Sequence, residues 1–202
     1  ILIDGIRLNN SITRRGPNQY INTIDPGMLQ QIEVVRGQGS VLWGSDAIGG
    51  AINVVTRGAD PLRGRGAGYA DRQFVQYYNT SDSGSYSRFN VEGWVGSNGL
   101  FGGGSFLNIR DLDTGFDQFS RQPGTNYQQY AGDLKFNFML GHKSMLTFAM
   151  QHVEQEDLPR SDRFPGYPLD RNNSNTLGGA RFFDPQQRNL IYLRHQIIDP
   201  FG

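Results

Sequence analysis

The sequence contains no cysteine, which excludes a disulfide framework, a thiol nucleophile and a thiolate metal site. No stretch of ~18 consecutive apolar residues occurs, which rules out a transmembrane helix. An excess of one charge is missing too. The 19 basic and 19 acidic side chains cancel, so no global field draws nucleic acid, and none is expected as a partner. Lysine is scarce, standing only at Lys135 and Lys143. Glycine is abundant instead: 27 of 202 residues, against an ordinary share of ~7%. Aromatic residues make up 12%, mostly Phe and Tyr. The glycines follow no three-residue period and sit among aromatics, which excludes collagen and Gly-rich disorder. A β protein remains.

The chain opens on ILIDGIRL, already inside a pattern, with no initiator Met and no signal peptide. It closes on IIDPFG directly after an apolar run. The expectation is an internal fragment of a longer chain.

Residues 1–57 read as a small α+β unit. Ile1–Ile3 is a β-branched run closed by Asp4-Gly5, a tight-turn dipeptide. Asp25-Pro26 fits a helix start, Asp25 capping and Pro26 in the first turn. Only about one turn can follow, because Ile32, Val34 and Val35 return to strand composition. Between residues 37 and 50, five glycines are expected to break any regular element. Ala51–Thr56 is a second β-branched run.

Residues 65–198 follow period two. Leu134, Phe136, Phe138 and Leu140 share a face, with Asp133, Lys135 and Asn137 on the other. Phe89, Val91, Gly93 and Val95 alternate with Asn90 and Glu92; Leu146, Phe148 and Met150 alternate with Thr147 and Gln151. Strands are expected near 65–79, 85–97, 101–110, 127–140, 145–156 and 187–198. Such lengths exceed the ~5–6 residues of globular strands and suit tilted membrane-crossing ones. Ser97–Leu100 and Gly141–Ser144 are short connections, whereas Asp111–Asn126 and Asp157–Gln186 are long and polar. Short turns on one side and long loops on the other mark an outer-membrane barrel. Thr80–Gly84, short on the long-loop side, is the exception. A soluble up-and-down barrel alternates as well, but a structureless loop of about 30 residues is unusual in a compact domain.

Glu33 to Arg57 reads EVVRGQGSVLWGSDAIGGAINVVTR. This closely resembles the end of the plug domain of TonB-dependent outer-membrane receptors, whose pattern is approximately E-V-x-R-G-P-x-S-x-L-Y-G-x-x-A-x-G-G-x-I-N-x-x-T-[KR]. Glu33, Val34, Arg36, Gly37, Ser40, Leu42, Gly44, Ala47, Gly49, Gly50, Ile52, Asn53, Thr56 and Arg57 match; Gln38 replaces the usual Pro and Trp43 the usual Tyr. The resemblance implies a mainly β fold: a small α+β plug over 1–57, a linker over 58–64, and antiparallel transmembrane β-barrel strands over 65–202. Those strands would be part of a 22-stranded barrel in the bacterial outer membrane, set in its lipid. It implies energy-coupled uptake of a scarce large solute, a ferric siderophore type of chelate by family habit. The partner would be the TonB–ExbB–ExbD energy complex, whose contact box is expected ahead of residue 1. Plug arginines of the family pair with wall glutamates. By resemblance Arg36 is the expected latch, within the signature residues Glu33, Gly37, Ser40, Gly44, Gly49, Gly50 and Asn53. Glu92 and Asp133 are the lumen acids available to it.

Other chemistries find little support. No Lys follows the glycines as a phosphate loop requires, and Ser40 lacks the G-x-S-x-G setting of a hydrolase. His142, His152 and His195 lack partners at ligand spacing, so no metal, no cofactor and no catalytic residue is expected. The loop 157–186 carries Arg160, Arg163, Tyr167 and Arg171, a set that grips anionic or aromatic ligands and equally suits a surface near anionic lipopolysaccharide. Two rival readings stand beside the transporter. A passive porin or adhesin barrel would lack the plug signature, and a soluble glycan-processing β-protein would depend on paired Asp or Glu.

Overall fold

The computed structural model describes residues 1–8, 21–44, 47–59, 69–78, 83–111, 125–141, 143–159, 182–183 and 185–197. Two sheets dominate it. The N-terminal sheet has four strands: β1 (Leu2–Ile3), β2 (Ile6–Arg7), β3 (Leu29–Arg36) and β4 (Gly50–Thr56), in the order β2-β1-β4-β3. Asp4 and Gly5 join β1 to β2 with φ of +51° and +82°, the left-handed pair that a two-residue hairpin needs. β1 then adds to β4 in parallel, while β3 pairs with β4 antiparallel. The parallel addition was not foreseen, because hydrophobic pattern reports faces rather than neighbours.

Asp25 begins a single 3-10 turn, Pro26–Met28, and its carboxylate accepts from the Gly27 amide at 3.2 Å. The Gly-rich stretch departs from expectation. It contains a four-residue helix, α1 (Ser40–Trp43), ended by Gly44 at φ +90°. The glycines here shape the ends of a small hook instead of dissolving it.

The second sheet is a meander of six long strands: β5 (Tyr69–Tyr78), β6 (Ser83–Val95), β7 (Asn98–Ile109), β8 (Tyr127–Leu140), β9 (Ser144–Glu156) and β12 (Gln186–Ile197). Every neighbouring pair is antiparallel, with the order β12-β9-β8-β7-β6-β5. Ends fall within a few residues of expectation. One shift has a local cause. Gly96 takes φ +62°, so a two-residue turn suffices and β7 already starts at Asn98. Another concerns the loop 157–186, whose base is paired: β10 (Leu158–Pro159) lies antiparallel to β11 (Phe182–Phe183). Arg160, Arg163, Tyr167 and Arg171, like His142, lie outside the described residues.

The six-stranded sheet is inside out by the standard of a soluble protein. Its concave face carries Arg88, Asn90, Gln129, Asn137, Thr147, Gln151 and Gln155, all buried. Its outer face exposes Phe89, Val91, Val95, Phe138, Leu140, Met150, Ile191 and Leu193; Val95 is 81% exposed where Arg88 is 1%. Aromatic neighbours line the same outer face. Phe106 and Tyr130 face each other across β7 and β8 at 5.1 Å, and Phe136 stacks on Phe138 at 5.9 Å. Apolar-out and polar-in alternation is what a barrel wall in lipid requires, since hydrocarbon is the apolar phase and the lumen is wet. No helix among the described residues is long and apolar enough to cross a membrane.

The outer face generates a depth-dependent expectation. Leu134→Arg, at the middle of β8, should destabilise the folded barrel by about 2–4 kcal/mol, and Leu140→Arg, at the turn end, by about 0–1 kcal/mol. Urea unfolding of the two variants in lipid vesicles measures the difference; equal penalties would refute the assignment of the outer face to lipid.

Candidate functional site

The two sheets meet at a polar seam on the concave face, held at two points by carboxylates of the N-terminal unit. The first is Asp25, fully buried. One oxygen accepts from the Tyr86 hydroxyl at 2.8 Å as well as from the Gly27 amide. The other accepts from Arg88 Nη1 at 2.5 Å and from the Ser105 hydroxyl at 2.7 Å. Arg88 spreads its remaining donors over Asn90, 2.6 Å from Nε, and Asp133, bonded to Nη2. The approach leaves no room at Gly27, where a Cβ would fall on the Tyr86 hydroxyl and on Cδ of Arg88.

The same turn is clamped through its backbone. Gln155 Nε2 donates to the Asn22 carbonyl at 2.7 Å, and Arg188 Nε donates to the Thr23 carbonyl at 3.1 Å. Both wall side chains are steadied by neighbours on the concave face. Gln155 also bonds Gln129 at 2.7 Å, and Arg188 bonds Gln151 at 3.0 Å.

The second anchor is Asp4, presented by the β1–β2 hairpin. Inside its own unit it accepts from the Thr56 amide at 2.9 Å and the Thr56 hydroxyl at 2.5 Å. From the wall, Lys135 Nζ reaches it at 3.2 Å and the Tyr192 hydroxyl at 2.9 Å. Arg194 bonds the Asp4 carbonyl, and Lys135 also donates to Thr56 Oγ1 at 2.6 Å. Residues just after β4 continue the seam. The Arg57 guanidinium stands 4.9 Å above the Phe101 ring, and Asn137 Nδ2 donates to the Ala59 carbonyl at 2.7 Å.

Among the described residues the plug-signature residues from Glu33 to Asn53 make their contacts within the N-terminal unit, apart from the seam. Glu33 and Asn53 are register partners on β3 and β4 and bond at 2.8 Å, and Asn53 Oδ1 accepts from the Gly5 amide at 2.9 Å. They tie the hairpin to the sheet. Gly50 faces Arg36 at φ +141°, where a Cβ would strike the Val35 carbonyl. Gly37 takes φ +97° and bonds the Gly49 carbonyl at 3.4 Å. Ser40 opens α1, and its carbonyl accepts from the capping amide of Gly44 at 3.0 Å.

Arg36 lies exposed at the end of β3. Among the described residues it pairs with neither Glu92 nor Asp133, and Asp133 is bound to Arg88 instead. Among the described residues the ion pairs that cross the seam set acids of the N-terminal unit against bases of the wall. Asp25 had a sequence signal, its capping position, but a cap occupies only one of its oxygens. Arg88 and Lys135 had only their lumen-side register.

Outside the seam, His152 faces outward with Nδ1 2.6 Å from Asn189 Oδ1 and Nε2 3.5 Å from Glu154. An acidic neighbour is thus present where the sequence showed none. No group of three or more His, Cys, Asp or Glu side chains suited to a metal occurs among the described residues.

Comparison with known proteins follows the same division of the chain. The TonB-dependent Receptor Plug Domain family matches residues 1–51. A curated relative, the vitamin B12 transporter BtuB of Vibrio vulnificus (strain CMCP6), is 38% identical over 63 residues, which is 31% of this chain and 10% of the relative. Among solved structures, the ferric enterobactin receptor PfeA in complex with BCV-L6 superposes with a TM-score of 0.64 at 16% identity. That likeness covers 96% of this chain and 30% of the receptor, so the chain spans less than a third of either protein. The relatives are transporters and receptors, not enzymes. Residues 1–51 thus carry the TonB-dependent receptor plug domain, and nearly the whole chain has the fold of such a receptor.

Proposed function

We propose that the protein serves energy-coupled uptake of a scarce, large solute across the outer membrane, with the TonB–ExbB–ExbD complex supplying the pull. The observation that carries this reading is the chemistry of the seam. Among the described residues the plug meets the wall mainly through ion pairs and hydrogen bonds at Asp25 and Asp4, and the buried apolar cluster lies within the plug itself. Water entering a lumen replaces polar contacts one for one, whereas separating a fused apolar core exposes hydrocarbon with no compensation. A plug that must seal at rest and yield under load needs the first kind of seam.

The solute we propose is a ferric chelate. Support comes from the fold likeness to a ferric enterobactin receptor and from the composition of the loop 157–186. There Arg160, Arg163, Tyr167 and Arg171 offer cations and an aromatic face to an anionic, aromatic chelate. A corrinoid is the second reading, favoured by the sequence relative that transports vitamin B12. A deletion strain complemented with the receptor gene should accumulate radiolabelled iron from a ferric catecholate, and a protonophore should abolish the uptake. Accumulation of cyanocobalamin alone would move the solute to the corrinoids. Uptake indifferent to the protonophore would sink the energy-coupled reading.

The anchors supply a second expectation. Asp25→Ala removes the acceptor that Arg88, Tyr86 and Ser105 share and should weaken plug seating by about 1–3 kcal/mol, the cost of leaving buried donors unsatisfied. Cells carrying it should become permeable to a large antibiotic such as vancomycin. Arg36→Ala, remote from the described seam, should leave permeability at the wild-type level. The reverse ranking would return the latch to Arg36.

A further inference from the structure

Arg88 is held by two carboxylates, and only one of them belongs to the plug. Nη1 bonds Asp25 at 2.5 Å, while Nη2 bonds Asp133 of β8, two strands away from β6. The bridge crosses β7 at Gly103, the register partner of both Asn90 and Asp133. A Cβ at Gly103 would stand 2.8 Å from Arg88 Cζ and 2.6 Å from Asn90 Oδ1, so only glycine leaves this passage open. Asp25 itself makes no use of Asp133: its two oxygens are occupied by Gly27, Tyr86, Arg88 and Ser105.

We infer that Asp133 is a positioning residue for plug release, a counter-ion the wall keeps so that Arg88 stays paired and aimed into the lumen when Asp25 withdraws. The inference rests on the transport reading above and adds a residue to it. Two effects act in the same direction. An arginine cannot shed its proton, so a wall that lost Asp25 with nothing in its place would hold an uncompensated cation. Asp133 removes that penalty from the released state. In the seated state two carboxylates share one guanidinium and repel each other, which weakens the grip on Asp25. Arg88 thus keeps a counter-ion when the plug leaves, and the plug returns to an arginine already in position.

Amide hydrogen exchange of the receptor purified in detergent tests this, read in the segment 21–36 that carries the anchored turn. Exchange there reports the fraction of plug that has let go of the wall. Asp25→Asn should speed it. Asp133→Asn, close in shape to the wild type, should slow it about tenfold, the size of a coupling between neighbouring charged groups. Asp133→Ser, lacking both charge and reach, should act in the same direction. In an Asp25→Asn background, Asp133→Asn should have no further effect, because its influence runs through the shared arginine. Faster or unchanged exchange in both Asp133 variants would overturn the inference. So would equal slowing with and without Asp25, which would mark Asp133 as merely structural. The measurement needs neither solute nor energy source. A failed uptake experiment therefore leaves it standing, and unchanged exchange alongside energy-dependent uptake refutes the role of Asp133 alone.

Discussion

The structure depends on one buried carboxylate. Asp25 ends the approach to a turn of the plug, caps that turn through Gly27, and receives Arg88, Tyr86 and Ser105 from two strands of the wall. An ionised group without solvent is tolerated only when its charge is met and its lone pairs are filled, and four donors do both here. Removing any one of these partners leaves one lone pair of the buried carboxylate unfilled. Turn, strand register and seam therefore hold one another in place.

That carboxylate is needed because the wall is inside out. A strand that shows Phe89 and Val91 to lipid must show Arg88 and Asn90 to the lumen, since successive side chains point to opposite faces. The lumen face is polar by necessity, and whatever fills it must answer polar groups with polar groups. Asp4 repeats the solution lower in the seam, where Lys135, Tyr192 and Arg194 converge on the β1–β2 hairpin. Gln155 and Arg188 address backbone carbonyls, which lets them grip the turn whatever its side chains are. Ion pairs are thus concentrated at two points, and bonds to backbone carbonyls fill the interval.

Legibility followed distance along the chain. The Asp4-Gly5 hairpin, the Asp25 cap, the long alternating strands and the short turns are local, within a few residues, and period two declares them. The plug signature was equally local. It drew attention to Glu33, Arg36 and Asn53, of which Glu33 and Asn53 prove to brace the plug against itself. Pairings across 63 residues, as between Asp25 and Arg88, or 131, as between Asp4 and Lys135, leave no periodic trace. They depend on how a plug of given height sits against a wall of given register.

From the sequence alone follow the wall's two faces, the strand lengths, and the alternation of short and long connections. These are consequences of side-chain order on a pleated strand, and neighbours a few residues away suffice to impose them. Only the tertiary structure decided which charges meet: acids on the plug, bases on the wall, and Asp133 behind Arg88 across the gap left by Gly103. Ion pairing is settled by separation in space and by exclusion of water. Both come into being only when the plug and the wall have been brought together.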